Sequence, residues 1–214
     1  MRVDVNTGLM AGVKQVLSPF FDERPSGVVP DLIVLHGISL PPGEFGGPWI
    51  ARLFTGNLPA EAHPEFRERA ALRVSAHLLL RRSGEIVQFV SFNDRAWHAG
   101  RSAWQGREAC NDYSIGIECE GTDDLPYEPA QYQTLRSVLP MLLEAYPQIT
   151  RERVVGHSDV APGRSRIPGC HSTGPRCVDS GKFGGFHVQE IAVSHCGLPA
   201  VSDRLGWRLQ GTSL

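Results

Sequence analysis

The sequence has no run of 18 apolar residues, no ordered spacing of cysteines and no excess of charge of either sign. Each absence closes a class of reading. Without a long apolar run there is no candidate membrane-spanning helix, and membrane partners are not expected. The first residues, MRVDVNTGLMAGVKQV, hold neither an apolar signal core nor a small-residue cleavage site, so the expected compartment is the cytoplasm. Five cysteines, an odd number with no Cys-x-x-Cys pair, argue against a disulfide framework and against a cysteine-based zinc knuckle. Cys110 and Cys119 are read as reduced, partly buried thiols. With 21 Lys and Arg against 23 Asp and Glu, the formal net charge is -2 and leaves no electrostatic footprint for nucleic acid.

What remains is a soluble chain with an ordinary core. Its 214 residues, 41% apolar and 21% charged, suit one domain followed by a tail rather than two domains. The chain is organised around DLIVLHGIS, Asp31 to Ser39. Leu32 to Leu35 have the length and composition of a strand buried on both faces, and they deliver His36 at its end. Taken alone, an imidazole there is more often a hydrogen-bonded core residue than a ligand or an acid–base group.

The rest of the chain supplies partners for it. Pro19 to Val29 reads as an extended lead-in, and Ile38 to Pro48 as an irregular loop of the kind that walls a cleft. Arg73 to Phe92 gives two β-rich runs around Arg82-Ser83-Gly84-Glu85, a hairpin signal, with His77 in the first run. Trp97-His98-Ala99-Gly100 follows in a polar loop, where the Trp either paves a ligand floor or anchors the loop on the core.

Ser114 to Glu118 repeats the buried-strand pattern with a carboxylate in the place of His36. A Glu between Ile117 and Cys119 is paired, metal-linked or raised in pKa if buried, and unremarkable if it faces solvent from an edge strand. Glu128-Pro129 opens a helix with apolar residues at helical spacing, and Pro140 is expected to kink it. Arg153 to His157 is a third short strand pattern ending in an imidazole. Two histidines and one carboxylate can leave an open position on Zn²⁺ where water ionises near neutral pH.

These segments together carry a resemblance. LHGISLPPGEFGGPWI, LRVSAHLLLRRSGEIVQFV, RAWHAG, CNDYSIGIECEGTD and VVGHSDVAPGR are similar to the AmpD-type members of the type 2 N-acetylmuramoyl-L-alanine amidases, relatives of the peptidoglycan recognition proteins and phage amidases. The resemblance covers about residues 15–164. It implies an α/β fold with a central mixed β-sheet flanked by helices, an amidase domain over 1–164, and a poorly structured tail over 165–214. It also implies zinc held by His36 and His157, and Glu118 as the carboxylate that activates water. Arg73 resembles a residue that holds charged groups of the peptide stem, and His77, Trp97 and His98 are the further candidates for contact with substrate. The implied partner is a small molecule, a 1,6-anhydro-N-acetylmuramyl peptide from peptidoglycan recycling, taken by a monomer. An indirect link to β-lactamase induction through uncleaved substrate is implied as well.

Two departures stand against this pattern. Ala109 occupies the place of an expected Arg, removing one expected contact with peptide carboxylate. After Arg164 the family pattern runs Lys-x-Asp-Pro-Gly, supplying a catalytic Lys and a third zinc ligand; Ser165 and Ile167 stand at those places. A non-catalytic muropeptide binder is the alternative this opens. Codons compatible with Ser165 to Cys177, read with one A restored in front, give Lys-Pro-Asp-Pro-Gly-Leu-Pro-Phe-Asp-Trp-Ala-Pro-Leu. The tail over 165–214 therefore reads as frame-shifted.

Overall fold

Every residue from Leu32 to Leu35 is buried, which requires a strand covered on both faces and paired on both edges. The computed structural model describes residues 1–122 and 125–162, with the backbone of one further short hairpin, Lys182–Phe183 against Phe186–His187. The rest of the expected tail over 165–214, Ser165 and Ile167 included, lies outside the described residues.

Six strands form the central sheet: β1 (Lys14–Gln15), β2 (Leu32–Ile38), β3 (Leu78–Leu80), β4 (Ile86–Gln88), β5 (Ser114–Glu120) and β6 (Val154–Gly156), in the spatial order β6-β2-β5-β3-β4-β1. The three pairings β6–β2, β2–β5 and β5–β3 are parallel, β3–β4 is an antiparallel hairpin, and β1 adds parallel to β4. The sheet is mixed, as expected. The hairpin closes where the sequence signals it, with Arg81 N–H donating to Glu85 O at 2.9 Å and Gly84 taking a left-handed φ of 85°.

Alternation along β2 and β5 separates two faces. Ile33, Leu35, Ile115 and Ile117 meet Leu135, Val138, Leu139 and Leu142 of α3 (Pro129–Ala145). On the opposite face Leu32 and Val34 pack with Ala99, Cys110, Tyr113 and Val160. Farther along that layer, Ile38, Leu79 and Val87 lie under Ile50, Leu53 and Phe54 of α1 (Trp49–Phe54) and Phe66 of α2 (Phe66–Arg69).

Helix α3 starts as its sequence predicts, with Pro129 in the first turn and a capping box between Glu128 and Gln131. Gln131 does more than cap: its buried amide donates to Glu120 O at 3.0 Å and Leu80 O at 3.3 Å, tying the helix start to two strand ends. The helix continues through Pro140 to Ala145 as one element. Cys110 and Cys119 are both free thiols, and burial is complete rather than partial. Among the described residues no helix is long and apolar enough to cross a membrane.

Leu139 is fully buried where α3 meets the sheet. Leu139→Ala should lower unfolding free energy by about 3 kcal/mol, read as a lower denaturant midpoint at unchanged slope.

Candidate active site and metal centre

Parallel pairing fixes the site before any side chain is considered. His36 on β2 lies directly beside Glu118 on β5, and Gly156 of β6 lies beside Leu35. His157, the next residue, therefore emerges next to His36 and opens the short helix α4 (His157–Val160). The three groups that the chain spreads over more than a hundred residues share one end of the sheet.

Their separations are short. His36 Nδ1 is 3.1 Å from His157 Nδ1 and 3.9 Å from Glu118 Oε1. Glu118 Oε2 is buried and has no hydrogen-bond partner among the described residues. Burial in this apolar setting pushes the Glu118 carboxyl up to about 8. His36 is held well below the ordinary imidazole range, first by burial and then by the neighbouring His98 and His157 rings, so it stays a neutral donor of a lone pair. Two nitrogens bound to one tetrahedral zinc lie about 3.3 Å apart. The pair of imidazoles and the orphaned carboxylate oxygen fit a cation between them as two ligands and an adjacent base. Among the described residues no group of three His, Cys, Asp or Glu side chains is disposed to hold a metal by itself.

The other expected site residues divide. His98 touches His36, with its Nδ1 2.9 Å from His36 Nε2, and its Nε2 lies 3.2 Å from Ser114 Oγ. Both ring nitrogens thus have partners within the protein, one in His36 and one in Ser114. His77, the other histidine expected to contact substrate, lies deeper. It is wholly buried, its Nδ1 accepts from Gly116 N–H at 2.9 Å, and its Nε2 lies 3.1 Å from Asp94 O. The ring thereby joins β5 to the segment around Asp94, with the Arg24 guanidinium 3.2 Å from its Nε2.

Trp97 and Arg73 stay at the surface. The Trp97 indole is half-buried, donates to Asp22 Oδ1 at 3.0 Å and stacks near Phe20. The exposed Arg73 guanidinium lies over both rings, 5.8 Å from the centre of Trp97 and 5.7 Å from that of Phe20. Ala109, in the place of an expected Arg, sits with a left-handed φ of 58°.

Several supporting groups escape a reading of the sequence. Arg24 donates to the carbonyls of Phe92, Asn111, Asp112 and Ser114, at 2.9 to 3.3 Å, and so clamps the loop that leads into β5. Burial lowers its pKa to about 10, which leaves it charged. Glu120, one turn of the pleat beyond Glu118, accepts from Gly46 N–H at 2.7 Å and Arg82 N–H at 3.2 Å, pinning the irregular loop expected to wall the cleft. Runs of apolar residues mark strands, but only the fold reveals which backbone groups those strands leave to be satisfied.

Two imidazoles and a buried carboxyl gathered at the ends of parallel strands are the equipment of a hydrolase. The chain belongs to the N-acetylmuramoyl-L-alanine amidase family, whose defining sequence pattern matches residues 26–170. Within that family it is 58% identical over 162 residues to the 1,6-anhydro-N-acetylmuramyl-L-alanine amidase AmpD of Escherichia coli (strain K12), across 76% of this chain and 88% of that protein. The AmpD of Haemophilus influenzae is 46% identical over 179 residues, across 84% of this chain and 97% of that protein. The fold superposes on a crystal structure of a selenomethionine AmpD derivative with a TM-score of 0.75 at 55% identity, covering 79% of this chain and 93% of that one.

The raised Glu118 carboxyl makes a signed prediction. Its folded pKa, about 8, lies above the ordinary 4.5, so the folded chain holds this proton longer. The group costs nothing below pH 4.5 and progressively destabilises the fold as pH rises toward 8, by about 3 kcal/mol at pH 7. With a chelator present, Glu118→Gln should unfold at higher denaturant than the parent at pH 8, and the gap should close by pH 5. A gap independent of pH would show that the carboxyl is not buried in its neutral form.

Proposed function

We propose that this chain is a zinc-dependent amidase that cleaves the amide joining the lactyl group of a 1,6-anhydro-N-acetylmuramyl unit to the L-alanine of its peptide, acting as a cytoplasmic monomer in peptidoglycan recycling. The convergence of His36, His157 and Glu118 at one end of the sheet carries this reading. Membership of the amidase family and the AmpD relatives supply the bond class and the sugar. His36 and His157 would hold the metal. When bound, zinc supplies the positive charge that acidifies a water and polarises a carbonyl.

The chain's own residues do the proton work. Glu118, in its ionised form, takes a proton from the attacking water as the new C–O bond forms at the lactyl carbonyl. The same carboxyl, now neutral, gives that proton to the alanine nitrogen as the C–N bond breaks. The products are a lactyl carboxylate and a free peptide amine. Burial of Glu118 suits it to this exchange, because a carboxyl with a pKa near the working pH both accepts and releases a proton readily. Arg73, exposed over the Trp97 ring, would meet peptide carboxylates, and Trp97 would offer an aromatic wall to the sugar.

A second reading, a muropeptide binder without turnover, is favoured by Ser165 and Ile167 at the places of the family's Lys and Asp. Chromatography of products from a 1,6-anhydro-N-acetylmuramyl-L-alanyl peptide separates the two. The amidase reading expects free peptide, and a fall in kcat of about 10²- to 10⁴-fold in Glu118→Gln with little change in KM. Saturable binding with no release by the parent chain, and release only by the double variant Ser165→Lys/Ile167→Asp, would establish the binder instead.

A further inference from the structure

We propose that His98 and Ser114 form a relay that fixes which nitrogen of His36 carries the proton, keeping the His36 Nδ1 lone pair turned to the point where His157 and Glu118 meet. Its purpose rests on the zinc reading above; its geometry does not.

The chain of assignments starts from a carbonyl, which can only accept. Ser114 Oγ lies 2.6 Å from Cys110 O, so the hydroxyl spends its one proton there. His98 Nε2, 3.2 Å from the same Ser114 oxygen, must then be the donor. With Nε2 protonated, a neutral His98 has a bare Nδ1, and that atom accepts from His36 Nε2 at 2.9 Å. The atoms that face the His98 ring nitrogens, Ser114 Oγ and His36 Nε2, belong to uncharged groups and offer no carboxylate to a second proton. His36 is left with its proton on Nε2 and a lone pair on Nδ1, the nitrogen 3.1 Å from His157 Nδ1 and 3.9 Å from Glu118 Oε1. In the opposite tautomer an N–H would point at the cation site.

The surroundings are shaped to hold this relay. Asn111 Oδ1 accepts from the backbone N–H of His98 at 3.2 Å and of Ala99 at 2.8 Å, fixing the loop that carries the ring. The His98 ring lies against the backbone of Gly116, where a Cβ would come within 2.4 Å of its Cγ. Ser114, Gly116 and Glu118 alternate along one face of β5, so the strand offers in turn the relay's acceptor, the room for its ring and the base it serves. Arg24, bonded to Ser114 O and Asn111 O, anchors both supports. His98 and Ser114 are positioning residues, acting on the substrate only through His36.

Long-range ¹H–¹⁵N correlations of the imidazoles in the full chain, with a chelator present, read the tautomers directly. The parent chain should show His36 and His98 both protonated at Nε2 alone. Ser114→Ala should mix the His36 tautomers and weaken zinc affinity about 10- to 100-fold, and Ser114→Thr should restore both. A parent chain with His36 protonated at Nδ1, or Ser114→Ala with an unchanged spectrum and unchanged zinc affinity, would overturn the relay. The parent spectrum decides the matter even if Ser114→Ala fails to fold. It also separates this inference from the amidase reading, since a parent chain with the expected tautomers that binds no zinc would refute the zinc reading and leave the relay standing.

Discussion

The structure depends on β2 being paired in parallel on both sides. Parallel neighbours present the same chain direction, so their carboxyl ends collect at one edge of the sheet, and a residue at the end of each becomes a neighbour of the others. Antiparallel pairing of β5 or β6 with β2 would have sent Glu118 or His157 to the far edge. The observed register brings His36 level with Glu118 and leaves His157 one residue beyond β6. Four fully buried apolar residues in β2, with Ile33 and Leu35 under α3 and Leu32 and Val34 packed on the opposite face, hold that register, because a slip by one residue would turn His36 and Glu118 into the α3 interface.

Beneath the three groups lies a layer in which nearly every polar atom is assigned. His77, His98, Ser114, Asn111 and Arg24 bond to backbone or to one another between β5 and the loop around Trp97. Buried networks of this kind are stabilising only when complete, and completeness is also what makes them rigid. Glu118 Oε2, with no hydrogen-bond partner among the described residues, is the exception, and it stands beside the imidazoles. On the proposed zinc reading, a site that holds a cation, a water and a proton in fixed relation gains from a support with no freedom to rearrange.

Much of this was legible in the sequence. Apolar runs ending in His36, Glu118 and His157 mark buried strands with chemistry at their ends, and the hairpin at Gly84 and the start of α3 follow from local turn and cap chemistry. The internal bonding of His77 and His98 was not legible, for one reason. A histidine next to a strand or a Trp reads as available, and what engages its two nitrogens is set by residues distant in sequence: Gly116 and Asp94 for His77, His36 and Ser114 for His98. Arg24 was invisible because its partners are carbonyls, which carry no sequence signal. The β2 and β5 strands also run past the predicted ends, to Ile38 and Glu120, because each extends along the other in seven consecutive register pairs.

On the proposed reading three strand ends converge on one cation, and the metal itself tests this most directly. Zinc per chain, determined by elemental analysis of the purified 214-residue protein beside His36→Ala, should come to about one in the parent and fall to background in the variant. Zinc at background in both, in protein that folds and melts cooperatively, would contradict the account, and the strand ends would then form a buried polar cluster without the metal chemistry assigned to them.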